Sequence, residues 1–371
     1  MRRLIGRAPA PGPAVPPPAS YAEALLAAGF DHEAYRRDYP FLEGLSDLEA
    51  AAHYHGSGRT ERFDVRFLHP LPEARARAEA LGVSAEDADL LRLDLAAAEL
   101  RRADPYGRDV ERTTHLLHTT PSHRPMLVVT DSHGMLYLVE DVLREGRLLP
   151  VPFLCTGASA RGLGNPQSRG GATQRIREHL AARADEIADG VILLKFGQVD
   201  LEFVYDYRRI RDGRQAFNLD DALAFARESA RSYVAFAESL RELTTARLVV
   251  TAALPPSLND EALRAGYINA HIGELHADSG PEQLLADLQR LDMPDWKTRT
   301  ELARAYNEDV AAHCAEAGLP FLDDFTPLLG ADGLIDPGLL IWHGGTDHHL
   351  CAGSPAGRGA AGRFARQIAA L

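Results

Sequence analysis

Asp131, Ser132 and His133 stand consecutively behind an apolar run, in the stretch MLVVTDSHG from Met126 to Gly134. A serine at a strand-to-helix junction projects its hydroxyl off the end of a sheet. Its own backbone N–H then lies at the helix start, where an anion can be held. The chemistry that suits such a residue is nucleophilic attack on an acyl carbon. Ser and Asp at the same place also serve as ordinary helix caps. Near the other end of the chain, IWHGGTDHHL (341–350) crowds Asp347, His348 and His349 behind two glycines. A carboxylate beside an imidazole fixes its tautomer and stabilises its cation, as a general base requires. A loop with surface histidines is the plain alternative. A metal is the sharper rival, with His343, His348, His349 and Asp347 as ligand types. However, adjacent histidines seldom both reach one ion, and the i, i+4 helical pair is missing. No metal and no cofactor are therefore expected.

Two further loops carry polar groups in positions that matter. TGASARGLGNPQSRGG (156–171) is glycine-rich, which lets backbone N–H groups approach a ligand closely. It lacks the Gly-Lys-Ser/Thr of a phosphate loop and the spacing of a dinucleotide fingerprint. A backbone anion hole and a plain flexible loop both remain open. In KFGQVD (195–200), Gln198 is placed to donate to an oxyanion and Asp200 to brace the loop. A solvated turn is the alternative there.

The elements that must position these loops follow from periodicity. Apolar runs at 126–130, 151–155, 191–196, 247–254 and 319–324 alternate with amphipathic stretches at 134–146, 172–189, 219–243 and 297–317. Such alternation predicts an α/β fold with a parallel sheet covered on both faces. Ligands of such sheets bind beyond the carboxyl ends of the strands, where all four loops lie.

The chain of 371 residues is 45% hydrophobic and 25% charged, as in soluble globular proteins. Its net charge of −13 argues against nucleic acid as a partner. Arginine far outnumbers lysine and alanine is abundant, which reads as genome base composition and not as an arginine-rich binding surface. Cys155, Cys314 and Cys351 are far apart and odd in number, giving neither a disulfide framework nor a CxxC metal site. A reducing, cytoplasmic location is the default expectation. The start has two arginines but no apolar core of a signal peptide, and no run approaches a membrane span. No membrane partner is expected.

Four regions are expected. Residues 1–20 form a Pro/Ala-rich, weakly structured tail. Residues 21–62 form a small helical module, with one helix around Ala24, Leu25 and Ala28. A second is capped by Ser46 or Asp47 and stops near Gly56 and Gly58. Residues 63–121 form a helical connecting layer, in which Ser84 with Asp87 marks a helix start. Residues 122–371 carry the α/β domain.

The order of the four loops resembles that of the blocks in the SGNH hydrolases, also called the GDSL esterase/lipase family. Thr130-Asp131-Ser132-His133 stands where that family has Gly-Asp-Ser-Leu or Gly-Asp-Ser-His. Gly157 matches the glycine of its second block. Gly197 to Asp200 match Gly-x-Asn-Asp, and also a branch reading Gly-Glu/Gln-Ile/Val-Asp. TDHHL matches the final Asp-x-x-His block. The resemblance covers roughly 122–371. It implies a three-layer α/β/α, flavodoxin-like parallel sheet. It implies Ser132 as nucleophile, His349 as base and Asp347 as its orienting acid. The oxyanion donors would be the N–H groups of Ser132 and Gly157, with Gln198 supplying a side-chain amide. Asp131, His133, Asp200 and His348 are supporting or alternative residues. Thr130 replaces a glycine, Val199 occupies the asparagine slot, and Asp347 lies two residues before His349 instead of three. Residues 21–62 are similar to a short module found beside bacterial glycosyltransferases and polysaccharide-biosynthesis proteins, on Phe30, Asp31, Tyr35, Pro40, His53, Tyr54, Gly58, Glu61 and Arg62.

These resemblances imply a serine ester hydrolase acting on an O-acylated carbohydrate or small acyl ester. An acyltransferase using the same triad on a sugar or natural-product acceptor is the alternative, as is a catalytically impaired binding protein of the same fold. The oligomeric state stays open.

Overall fold

The structure, a computed structural model, describes residues 20–58, 65–102, 123–165, 167–267 and 270–371. Two compact units divide at Ala98 and Glu99. Glu61 and Arg62 lie outside the described residues.

The first unit is helical. Ser20 and Ser46 each accept from the backbone N–H three residues on, while Glu23 and Glu49 reach back to the cap, forming two capping boxes. They start the helices Tyr21–Ala27 and Asp47–His53. The expected stop near Gly56 is a five-residue π-turn, Tyr54–Gly58. Asp31 caps the helix His32–Asp38. Phe30, Tyr35 and Tyr54 are buried and pack ring against ring, with centroids 5.2 to 6.0 Å apart. Tyr35 Oη shares a hydrogen bond of 3.0 Å with His53 Nδ1. Ser84 caps the helix Ala85–Arg102 through the Asp87 N–H at 3.0 Å. The Tyr21 hydroxyl donates to Asp94 of that helix.

The second unit holds a five-stranded, all-parallel sheet in the order β2-β1-β3-β4-β5. Its strands are β1 (Arg124–Thr130), β2 (Leu148–Leu154), β3 (Val191–Lys195), β4 (Arg247–Thr251) and β5 (Phe321–Leu322). This is the flavodoxin-like order, whose topological switch lies between β1 and β3. The exits of those two strands carry Ser132 and Gln198.

Successive side chains of a strand point to opposite faces, so runs buried throughout need cover on both. On one face, Met126, Val128, Val191, Leu193 and Val249 form a core with Phe364, Ala365 and Ile368 of the helix Pro355–Ala370. On the other, Tyr233 of the helix Leu219–Ser239 donates to the Leu194 carbonyl at 2.6 Å and meets Phe196 edge-on. The helix Trp296–Ala317 packs along Leu219–Ser239. The result is the expected three-layer α/β/α arrangement, with helices preceding it.

Several boundaries differ from the sequence expectation. β2 begins at Leu148 and not 151, because Pro150 and Pro152 obscured an edge strand that tolerates proline. β5 keeps only two residues. Asp323 turns the chain by accepting from the Phe325 and Thr326 N–H groups. β4 ends at Thr251, since Ala253 bonds through both backbone groups to the Asn307 side chain. The stretch 134–146 divides into a 3₁₀ segment, Ser132–Tyr137, and a helix, Glu140–Gly146. The stretch 172–189 is helical only over Ala172–Ala182.

Candidate active site

β1 delivers Asp131, Ser132 and His133 at its carboxyl end. Thr130 is fully buried, and its hydroxyl bonds to the Lys195 carbonyl at 3.1 Å. Gly134 packs so closely on Thr130 that a β-carbon there would lie 2.2 Å from Oγ1. Threonine in the glycine slot is thus accommodated by a glycine four residues on. Asp131 Oδ1 accepts from the His133 N–H at 2.8 Å and pairs with His133 Nδ1 at 2.9 Å. Ser132 sits between them, half-buried. Among the described residues its hydroxyl makes no hydrogen bond, so a serine–histidine bond is not formed in this geometry.

The C-terminal loop repeats the same turn. Asp347 Oδ1 accepts from the His349 N–H and pairs with His349 Nδ1, both at 2.8 Å. A spacing of two residues therefore lets the aspartate orient the imidazole. The His349 ring stacks on His133, with centroids 5.3 Å apart, and lies 3.7 Å from His348. His348 is buried, and its Nδ1 shares a hydrogen bond of 2.6 Å with the Tyr267 hydroxyl.

Their surroundings push the three imidazoles in different directions. Burial opposes protonation of His133, but Asp131 beside it and the nearby Glu202 outweigh burial and hold its pKa above the ordinary value. Burial, with the charge of His133, lowers His349 against the pull of Asp347. Burial pushes His348 down to about 2. With its pKa below the ordinary value, His349 is neutral at pH 7, and an Nδ1–H that donates to Asp347 leaves Nε2 to accept. Its side chain is 28% exposed, against 1% for His133 and His348, so it alone exchanges protons readily with solvent.

The β3 exit braces the β2 exit. Gly197 has φ +114°, and a β-carbon there would strike the Tyr306 ring at 2.5 to 2.8 Å. Only glycine fits that approach. Asp200 is fully buried and accepts from the Ala160 and Arg161 N–H groups at 2.5 and 3.0 Å, and from Ser229 Oγ at 2.5 Å. It therefore anchors the loop bearing Gly157 and is no solvated turn. Gly157 takes φ +71°, and its carbonyl accepts from His276 Nε2 at 2.7 Å. Gln198 is buried and donates one amide N–H to Glu202 at 2.8 Å. Val199 is fully buried, so the asparagine slot points into the core.

The chain matches no family profile, and no curated protein matches its sequence. Among solved structures it is similar to a GDSL-like lipase from Bacteroides thetaiotaomicron, at 11% identity and TM-score 0.40, over 72% of this chain and 98% of that one. It is also similar to an aryl esterase of M. smegmatis, at 14% identity and TM-score 0.38, over 67% and 99%. An acetyl xylan esterase from Geobacillus stearothermophilus aligns at 15% identity and TM-score 0.37, over 67% and 95%.

Sequence reasoning missed Glu202 and Tyr267. Glu202 is buried beside His133, with its pKa raised by desolvation against the pull of His133. Its position two residues past Asp200 is the only clue the sequence held. Tyr267 lies in a loop with no motif. The metal rival changes its membership as well. His133 joins His348 and His349, with ligand-capable atoms within 4.8 Å of one another; the His343 side chain lies outside the described residues. All three cysteines are free, and burial pushes the Cys155 thiol up to about 12, so it is no rival nucleophile. Among the described residues no helix is long and apolar enough to cross a membrane.

Proposed function

We propose that the chain is a serine ester hydrolase of SGNH type, with Ser132 as nucleophile, His349 as general base and Asp347 as the acid that orients it. The observation that carries the reading is the Asp347–His349 pair, held at 2.8 Å and stacked on the residue that follows Ser132. The Ser132 oxygen attacks the acyl carbon and its proton passes to His349 Nε2. The tetrahedral intermediate collapses as the C–O bond to the alcohol breaks, and His349 returns the proton to the departing oxygen. Water then repeats the sequence on the acyl-enzyme and releases the acid. The N–H groups of Ser132 and Gly157 have no hydrogen-bond acceptor among the described residues, which suits them to the oxyanion. Gln198 has a second amide N–H to add. A sugar hydroxyl in place of water would make the product an ester and the enzyme an acyltransferase. The carbohydrate side of the proposal rests on the resemblance of residues 21–62 alone.

The test is fluorophosphonate labelling with p-nitrophenyl acetate turnover, comparing the wild type with Ser132→Ala. Labelling and turnover are expected in the first and lost in the second. Full turnover by Ser132→Ala removes the proposal.

A second reading has one observation in its favour. His133, His348 and His349 present three nitrogens to one spot, and buried His133 Nε2 has no hydrogen-bond partner among the described residues. Asp131, Tyr267 and Asp347 hold the opposite ring nitrogens, as partners of metal-bound histidines do. A divalent metal there would activate water directly. Zinc bonds to nitrogen of 2.0–2.1 Å in tetrahedral array set the nitrogens about 3.3 Å apart. The observed spread of up to 4.8 Å means that the rings would have to close, which favours the serine reading.

A further inference from the structure

A cleft of about 720 Å³ opens beside the Gly157 loop. Thr156, Gly157 and Ser159 form one wall, and Tyr207 lies on another. Five arginines line it, Arg161, Arg169, Arg175, Arg208 and Arg211, against a single acid, Asp278. This concentration stands in a chain of net charge −13, so it is not what the average composition would place there. The arginines come from separate elements: the turn of helix Ala160–Leu163, the loop after it, the helix Ala172–Ala182 and the helix Tyr205–Arg211.

Some of this charge is already paired. Arg161 pairs with Glu228 at 2.5 Å, Arg169 with Asp278 at 2.9 Å and Arg211 with Asp212 at 2.9 Å. Arg175 and Arg208 have no acidic partner within salt-bridge distance among the described residues. Arg161 and Arg208 both lie against the Phe225 ring, 5.8 and 5.1 Å from its centre, which gathers two like charges at one side chain. Burial lowers the pKa of Arg208, and the guanidinium groups of Arg161 and Arg211 lower it further, against the opposing pull of Glu228 and Asp212. Like charges gathered on one surface destabilise a fold unless an anion joins them. Guanidinium forks match phosphate oxygens in bidentate geometry.

We propose that this cleft binds a phosphate or diphosphate group on the non-reacting part of the acyl substrate, held by Arg175 and Arg208 with Arg161 and Arg211 beside them. The proposal rests on the esterase reading only for where the acyl group lies, at Gly157 on the cleft wall. The phosphate has two possible sources, a phosphorylated sugar bearing the ester or the nucleotide part of a coenzyme A thioester.

The experiment is calorimetric titration of the full chain with inorganic pyrophosphate, for the wild type and for Arg175→Ala/Arg208→Ala. Turnover of uncharged p-nitrophenyl acetate is measured alongside. Binding by the wild type, weakened about tenfold or more in the double variant and steeply by salt, is expected. Circular dichroism and unchanged p-nitrophenyl acetate turnover report that the variant is folded. A wild type that does not bind pyrophosphate, or a folded variant that binds it equally well, overturns the proposal. Absence of neutral-ester turnover in the wild type would instead sink the esterase reading and leave the binding result standing. Kinetics with an O-acetylated sugar phosphate and with acetyl-coenzyme A then tell the sources apart, because the true source shows a KM that rises in the double variant.

Discussion

The His349 ring lies on the His133 ring, 28° from parallel, and each is held by an aspartate two residues before it. In both Asp-x-His turns one carboxylate oxygen takes the backbone N–H and the ring N–H together. One loop leaves β1 and the other lies between the helices Trp342–Gly345 and Pro355–Ala370, and they meet through these rings. A spacing of two residues thus lets a single carboxylate oxygen hold both the backbone and the ring of each histidine.

Replacing Asp347 with Asn removes the carboxylate charge and lets an amide N–H face His349 Nδ1, which selects the wrong tautomer for a base. Turnover of p-nitrophenyl acetate should fall by about 10²–10⁴-fold, by analogy with loss of the orienting acid in serine hydrolases. Because Asp347 is 35% exposed, thermal stability should change little. A variant with near-normal kcat would remove Asp347 from the proposed triad.

The two readings of the histidine cluster separate on metal content. If Ser132 is the nucleophile, dialysis against a chelator leaves turnover unchanged. Added Zn²⁺ should then inhibit, because it competes for the His349 nitrogen that accepts the serine proton. Stoichiometric zinc in the purified protein, with turnover lost on chelation and restored by zinc, would favour metal-bound water instead.

Lys195 and Asp324 form a fully buried ion pair at 2.8 Å, and the Tyr137 hydroxyl donates to Asp324 at 2.6 Å. Burial raises the pKa of Asp324 and lowers that of Lys195, each drawn back by its partner. Lys195→Met strands a buried carboxylate and should destabilise the domain by about 3–5 kcal/mol. Chemical denaturation followed by circular dichroism measures this. A midpoint within error of the wild type would mean that the pair holds nothing together.

His179 stacks on Phe153 with ring centres 4.1 Å apart, and burial, helped by Arg183, lowers its pKa from 6.5 to about 4. The unfolded chain therefore binds the extra proton between those values. The stabilisation is complete above the unfolded pKa and is lost as pH falls towards the folded one. With the ring partly open to solvent, the contribution is on the order of 1–2 kcal/mol. His179→Phe should flatten the dependence of Tm on pH between 4 and 6.5. An unchanged slope would place the acid sensitivity elsewhere.

The strands were legible because runs such as VVT and VILLK are apolar on both faces, which few other environments accept. Their ends were less so, since β2 is disguised by Pro150 and Pro152, and β5 is cut short by the Asp323 turn. At the site, Asp131, Ser132, His133 and the Asp347–His349 group could be named from local spacing. Bonds between distant loops could not. The grip of Asp200 on Ala160 and Arg161, and the placing of Glu202 beside His133, depend on how β2 and β3 exit together. The arginine excess reads as compositional in the sequence, yet five arginines from separate elements line one cleft, which no count reveals.

The helix Pro355–Ala370 closes the face of the sheet against which Met126 and Val128 pack. During synthesis those strand residues emerge long before their cover exists. The nascent chain must therefore hold an open, oily surface until that distant helix has been made. It also means that the sheet carrying the Ser132 loop cannot be fully packed before that helix exists, so a chain that loses the helix should expose these strands and aggregate.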